Sequence, residues 1–388
     1  MQCDILQTPP FQAFLADLEA LGVTLVEEGG RAYVVIAARS NLRFWLLPLD
    51  NARVATAGLE MLQPVNHTAK AAKFVASAMA KLGFYRFLGK RQFRFLILPD
   101  FSHAFGLQST HVAYFTGTDG PHRKTSMQVM DINGVILGYV KLSRKNYIRP
   151  YLRNEAEMLE RVRALDIESA DIPRVLALYD NIDFTLLVTD SCKSADVNSP
   201  LQLKALHLKW LEDLRKSTIQ VGAGPLLEDL ASRLSIIKSV VDDTWVCRIT
   251  RALSVLHPDE GKIPLCLVHG DFTPWNSFVK NDRLYVFDWE YSNLAWPVGF
   301  DLVHFLLATT PREKQLKDLP RILKSLASAH FDYKEGAARR ALILSLVCHA
   351  VFHLSRLVEA QSVLKGWCDG AMRASLIDLL LDAEEFNT

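Results

Sequence analysis

The chain has 388 residues, with 44 Lys and Arg against 43 Asp and Glu, a formal net charge of +1, and 49% hydrophobic residues. That length can bury a large core and suggests two or three domains. The near-neutral balance argues against nucleic acid or another polyanion as partner.

Cys3, Cys192, Cys247, Cys266, Cys348 and Cys368 show no CxxC spacing, so reduced, buried thiols in a cytosolic compartment are expected. The opening Met-Gln-Cys-Asp lacks a basic region before an apolar core, so no secretory signal is expected. The longest apolar stretch, Ala341–Leu354, is interrupted by His349 and His353 and is too short to span a bilayer. A soluble cytoplasmic protein without a transmembrane segment is the expectation.

Arg31–Ala38 and Leu42–Leu49 are strand-like runs around Ser40-Asn41, which reads as a hairpin. Thr68–Leu82 has helical spacing and Phe93–Leu98 looks like another strand, so residues 1–110 form a small α+β unit with no assignable chemistry. Phe84–Phe95 interleaves Arg86, Lys90, Arg91 and Arg94 with aromatics. An amphipathic edge with snorkelling arginines accounts for this more simply than contact with a membrane surface or an anionic glycan.

Residues 111–192 are dominated by strands: Val112–Phe115, Ser126–Met130, Val135–Leu142, Val175–Tyr179 and Phe184–Val188. Asn133-Gly134 is the preferred pair for a type I′ hairpin turn. Pro150 opens a helix whose apolar face is Leu152, Ala156, Leu159 and Val162. Residues 193–388 are mostly helical. Ser199-Pro200 reads as a cap and helix start, followed by Leu203, Leu206, Trp210 and Leu214, and a second stripe runs from Leu227 to Val241. Short strands and loops interrupt the helices at 268–290.

That interruption carries the chemistry. It reads His269-Gly270-Asp271-Phe272-Thr273-Pro274-Trp275-Asn276, then Phe287-Asp288-Trp289-Glu290. An acid, an amide and two more acids fall within twenty residues, a set able to hold a hard cation and a hydroxyl near one point, as phosphoryl transfer requires. A solvated acidic loop would explain any one of these acids alone, but not their joint spacing.

The spacing, together with a sheet-rich region preceding a helical one, resembles the aminoglycoside phosphotransferase and choline kinase family. The resemblance covers residues 111–388. It implies an α+β, two-lobed protein-kinase-like fold, with residues 1–110 as an extra α+β unit, 111–192 as the N-lobe and 193–388 as the helical C-lobe. It also implies ATP and Mg²⁺ as cofactors, with ATP between the lobes. Asp271 is then the catalytic residue that accepts a hydrogen bond from the attacking hydroxyl. An ordinary Asp pKa of about 3.9 is too low to deprotonate an alcohol beforehand, so orientation and late proton acceptance are its expected work. Asn276 and Asp288 are the expected metal ligands, with Glu290 ranked below them.

By the same resemblance, Lys141 contacts the nucleotide phosphates and pairs with Glu155, with Glu157 as the fallback. Gly117 and Gly120 lie in the loop where backbone amides approach phosphate, although Gly117–Lys124 is no strict GxGxxG. Val188 and Asp190 lie in the segment Leu187–Ser191, whose backbone is expected to read adenine. Asp301, in Gly299-Phe300-Asp301-Leu302, is expected to brace the catalytic loop. Gly270 stands where protein kinases carry the arginine that couples activity to a phosphorylated loop.

The resulting expectation is a phosphotransferase acting on a hydroxyl of a sugar, sugar-like alcohol or amino alcohol. The Asp-Phe-Thr-Pro-Trp-Asn form resembles members associated with bacterial surface-polysaccharide synthesis. A protein kinase and a catalytically silent nucleotide-binding scaffold are the alternatives. His349 and His353 have metal-ligand spacing but no third ligand nearby, so packed core or acceptor-pocket histidines are preferred. Trp275, Tyr291 and Trp296 default to aromatic packing.

Overall fold

The computed structural model describes residues 5–38, 42–62, 67–87, 92–194, 197, 199–239, 241–361, 367 and 369–385. The chain forms two compact units, Met1–Glu160 with Pro173–Val197, and Arg161–Ile172 with Asn198–Thr388. The first is built on a sheet and the second is mainly helical, as the α+β, kinase-like reading requires.

The first unit holds a nine-stranded sheet: β1 (Thr24–Val26), β2 (Arg31–Ala38), β3 (Arg43–Pro48), β4 (Gln92–Leu96), β5 (His111–Phe115), β6 (Thr125–Met130), β7 (Ile136–Ser143), β9 (Val175–Asp180) and β10 (Thr185–Asp190). Its order is β1-β4-β2-β3-β5-β6-β7-β10-β9 and every neighbouring pair is antiparallel. The five strands expected from residues 111–192 are adjacent in it. The join to the earlier strands is β3 on β5, with Trp45 opposite Phe115 and Leu46 opposite Tyr114. The hairpin expected around Ser40-Asn41 forms as β2–β3, its turn lying outside the described residues.

Both faces of this sheet are covered, which is why β2, β3 and β5 read as continuous apolar runs. Tyr33, Val35, Leu46, Val112 and Tyr114 point into one core, while Val34, Leu47 and Ala113 point into the other. The first core is closed by α1 (Pro9–Glu19), a helix the sequence reading missed. Its Phe11, Phe14 and Leu18 are fully buried, with Phe11 edge-on to Phe44 at 5.7 Å and Phe14 edge-on to Tyr114 at 5.7 Å. The second core is closed by α2 (Ala52–Gly58) and α3 (His67–Lys81). A short α4 (Ser102–Phe105) precedes β5.

The β6–β7 connection differs from the type I′ turn expected at Asn133-Gly134. Gly134 donates its N–H to Asp131 O and Asp131 donates to Val135 O, and of the turn residues Gly134 alone has positive φ, at 81°. A type I′ turn needs positive φ at both central residues, so this is a three-residue loop closed by a left-handed glycine. Asp131 Oδ1 decides it by accepting from Asn133 N and Val135 N.

α5 (Arg149–Ala164) begins in the first unit, and within the second β8 (Ala170–Asp171) pairs in parallel with β14 (Arg283–Val286). The second unit contains α6 (Ala205–Thr218), α7 (Gly224–Ile237), α8 (Asp243–Leu256), α9 (Phe300–Thr309), α10 (Arg312–Gln315), α11 (Leu319–His330), α12 (Glu335–Glu359) and α13 (Gly370–Glu385). Two small sheets run β11 (Gln220–Val221), β12 (Pro264–Val268), β15 (Asn293–Pro297) and β13 (Ser277–Lys280), β14 (Arg283–Val286), β8. The Ser199-Pro200 start is not used. α6 begins at Ala205, where His207 Nδ1 accepts the Lys204 N–H at 2.9 Å. α12 is long and apolar enough to cross a membrane, but 72% of its most apolar window is buried within this unit as a core helix.

Two stability predictions follow from buried polar groups. In the first unit Arg123 donates to Asp17 Oδ2 at 2.5 Å and to Thr125 Oγ1 at 3.1 Å, and Thr125 also donates to Asp17. Asp17 and Arg123 are both buried. Asp17→Ala should therefore cost about 3–5 kcal/mol, read from urea unfolding, because it strands a buried guanidinium. In the second unit, burial pushes the His207 and His330 imidazoles down to about 4. The unfolded chain binds their protons near 6.5 while the folded chain refuses them, so stability rises with pH across that window. Melting temperature should fall as pH drops from 6.5 towards 4, and His330→Gln should flatten the slope.

Candidate active site

In the second unit, β12 delivers the chain into His269-Gly270-Asp271, and Asp301 in the first turn of α9 holds that loop. Asp301 Oδ2 accepts the His269 N–H at 2.7 Å and Oδ1 accepts the Gly270 N–H at 3.0 Å. Burial pushes the Asp301 carboxyl above the usual carboxylate range, opposed by His269, the two N–H donors and His304. Asp301 thus takes the bracing position expected of it.

Gly270 has φ of +84°, and a Cβ there would sit 2.1 Å from Tyr291 O. No side chain fits, which is the local reason that no arginine stands between His269 and Asp271. The His269 ring settles its own tautomer. Nδ1 accepts the Asp271 N–H at 3.2 Å, so Nε2 carries the proton and donates to Phe287 O at 2.9 Å. One imidazole thereby ties the 271 turn to the strand end that carries Asp288.

The Asp271 carboxylate is fixed at both oxygens. Asn276 Nδ2 donates to Oδ2 at 2.8 Å and to the Asp271 carbonyl at 3.0 Å, while His304 Nε2 lies 2.9 Å from Oδ1. A carboxylate only accepts, so His304 carries its proton on Nε2 and the Asn276 amide nitrogen is the atom turned to Asp271. Asn276 Oδ1 therefore faces elsewhere, as a metal ligand must.

Asp288 is brought beside Asn276 by the β13–β14 hairpin, in which Ser277 pairs with Val286 and Phe287 donates its N–H to Asn276 O at 3.0 Å. The hairpin closes through Asn281 and Asp282, both at positive φ, the geometry of a type I′ turn. Asp288 itself has φ of +70°, a strained conformation for a non-glycine residue that persists where surrounding structure imposes it. Glu290, two residues on, is buried. Asp288 and Glu290 carry carboxylates and Asn276 an amide oxygen, the donor types that a hard divalent cation takes.

The first unit holds the other expected residues. Lys141 of β7 reaches both carboxylate oxygens of Glu155 on α5 at 2.6 Å, and Glu155 is buried whereas Glu157 is exposed. Gly117 has φ of +84°, and a Cβ there would meet Lys124 O at 2.2 Å; Gly120 has φ of +146° in the same loop. Arg123, buried on Asp17 and Thr116 O, anchors this loop from behind. Val188 lies inside the sheet, opposite Val140 on one side and Ala177 on the other. Asp190 ends β10, its amide on Arg174 O and its carboxylate on the Arg174 side chain.

His304 was not legible as a site residue. The available signal was its spacing: three residues after Asp301 on one helix, it faces the loop that Asp301 holds. Among the other aromatic candidates, Trp296 packs on Phe300 and Phe352 and Tyr291 on Phe352, while Trp275 is partly exposed. His349 lies tilted against His304 at 5.4 Å and His353 stacks on Trp367 at 4.7 Å, so both histidines pack among rings.

Gly270→Ala should cost at least about 2 kcal/mol, because it adds left-handed strain to a clash with a backbone carbonyl. Chemical unfolding would measure it.

No curated protein matches the chain. Among solved structures it is similar to a thermostable mutant of aminoglycoside phosphotransferase APH(4)-Ia in ternary complex with ADP and hygromycin B, at 14% identity and TM-score 0.46, covering 73% of this chain and 96% of that one. It is also similar to a putative fructosamine-3-kinase from Haemophilus somnus 129PT, at 14% identity and TM-score 0.47, covering 72% and 95%. A third is choline kinase LicA from Streptococcus pneumoniae, at 16% identity and TM-score 0.45, covering 66% and 89%. Residues 205–339 match the model of the phosphotransferase enzyme family, a stretch that includes Asp271, Asn276, Asp288 and Glu290.

Proposed function

We propose that the protein transfers the terminal phosphoryl group of ATP to a hydroxyl of a small molecule, in the cytoplasm where ATP is supplied. The acceptor is placed among sugars, sugar-like alcohols and amino alcohols, with bacterial surface-polysaccharide metabolism as the setting. The observation that supports this reading is the Asp271 carboxylate, locked by Asn276 at one oxygen and by His304 at the other.

Phosphoryl transfer passes through a loose transition state, so alignment and charge neutralisation dominate its catalysis. Asp271 aligns the acceptor hydroxyl and takes its proton late. Each of its oxygens already accepts one hydrogen bond and keeps capacity for another. His304 is a positioning residue: its N–H holds Oδ1 and fixes the rotamer of Asp271. Asn276 Oδ1 and Asp288, with Glu290 behind them, would hold Mg²⁺, which supplies neutralisation of the phosphate charge. Lys141, held by Glu155, would contact the nucleotide phosphates, with the Gly117–Lys124 loop offering amides and the chain at Val188–Asp190 leading to the adenine contact.

Gly270 also bears on the protein-kinase alternative. The backbone there leaves no room for the coupling arginine, and after Asp288 the chain enters β15 almost at once, with Asn293 opposite Val268. A long regulated loop has no place in this segment.

Asp271→Ala should abolish transfer while retaining Mg-ATP binding in a thermal-shift assay, whereas Asp288→Asn should weaken the metal-dependent binding as well. His304→Ala should lower kcat about 100-fold with little change in the KM for ATP, as misplacement of a catalytic group does. ADP release would be followed over a panel of sugars and amino alcohols. Near-full activity of Asp271→Ala would overturn the mechanism, and Mg-ATP binding without turnover over the whole panel would favour the silent scaffold.

A further inference from the structure

Charge along the chain is far from uniform. Residues 61–99 contain seven Lys and Arg (Lys70, Lys73, Lys81, Arg86, Lys90, Arg91 and Arg94) and no Asp or Glu, in a chain whose total is +1. The same segment holds the helix α3 and the turn Phe84–Phe87.

The burial pattern of α3 is inverted relative to an ordinary surface helix. Its inward side is thin: Ala80 is buried, Ala76 and Met79 are half-buried, and Lys73 is turned to Glu60 at 2.8 Å. Its outward side carries Phe74 at 75% exposure and Leu82 at 71%, with Val75, Ala71 and Ala78 exposed around them. Phe74, Ala78 and Leu82 follow at i, i+4 and i+8, so they form one stripe, and the exposed Lys70 and Lys81 fall along its edge. The turn after the helix adds two exposed rings. Tyr85 Oη donates to Ala76 O at 2.9 Å and pins the turn to the helix, leaving Phe84 exposed and Phe87 at 82% exposure.

An apolar stripe rimmed by lysines on an acid-free segment is the composition of an element that lies in the plane of an anionic membrane. We propose that α3 and the Phe84–Phe87 turn dock the protein on an anionic bilayer surface, Phe74, Leu82, Phe84 and Phe87 entering the acyl boundary while Lys70 and Lys81 meet lipid phosphates. A second copy of the chain is a poor occupant. A two-fold interface sets each patch against itself, and here it would oppose Lys70 and Lys81 to the same lysines of the second copy. An anionic lipid surface answers both the charge and the apolar stripe. The site is independent of the phosphotransfer reading and would explain what the first hundred residues add to the sheet.

The test is co-sedimentation of the full chain with phosphatidylcholine vesicles and with phosphatidylcholine–phosphatidylglycerol vesicles, at low and high salt. Binding to the anionic vesicles alone, weakened by salt, is expected. Lys70→Gln and Lys81→Gln should each weaken it about fivefold. Phe74→Ser with Phe87→Ser should weaken it roughly tenfold or more, with the melting temperature unchanged because neither side chain is buried. Failure of the wild type to bind anionic vesicles at low salt would overturn the proposal, as would equal binding to both vesicle types. Gel filtration supplies the last arm: a change of oligomeric state in the double phenylalanine variant would assign the face to a second copy and remove the lipid reading.

Discussion

Asp301 is the constraint on which the second unit's site depends. A buried carboxylate is costly, and this one is stabilised by accepting two consecutive backbone N–H groups, those of His269 and Gly270. Those two bonds set the loop's path, and the path forces a left-handed Gly270 against Tyr291 O. His269 then spends one ring nitrogen on Asp271 and the other on Phe287, so the positions of the two acids are not independent. An Asp301 without its donors would be an uncompensated buried charge, and the site and the core would fail together.

The pattern around Asp271 is one of over-determination. Asn276 takes one carboxylate oxygen and His304 the other, and the left-handed Asp288 is presented by a hairpin whose own turn is left-handed at both residues. Preorganisation of this kind suits a reaction whose transition state needs alignment more than covalent help. Lys141 and Glu155 show the same economy in the first unit, a strand lysine held bidentately by a buried helix glutamate.

The residues ahead of His111 share the sheet's cores with the later strands. α1 closes a core that contains side chains from Tyr33 through Val188, and its Asp17 reaches Arg123 within the Gly117–Lys124 loop. The boundary drawn at residue 110 follows a change of sequence pattern, while the contacts run straight across it.

By itself the sequence determined the elements with a strong period and located the motif with a strict spacing. Strands β5, β6, β7, β9 and β10 and helices α3, α5 and α7 were legible because hydrophobic period is a local property, and the short-range spacing of Asp271, Asn276, Asp288 and Glu290 is local in the same way. Tertiary structure decided what depends on residues distant in sequence. The pairing of β3 with β5, the choice of Glu155 over Glu157, the late start of α6 and the contact of His304 with Asp271 are all of this kind. No period marks such contacts, since each is fixed by which face of an element another element happens to bury. The loop at Asn133-Gly134 is the local exception: there one side chain, Asp131, captured two amides and outweighed the dipeptide's own turn preference.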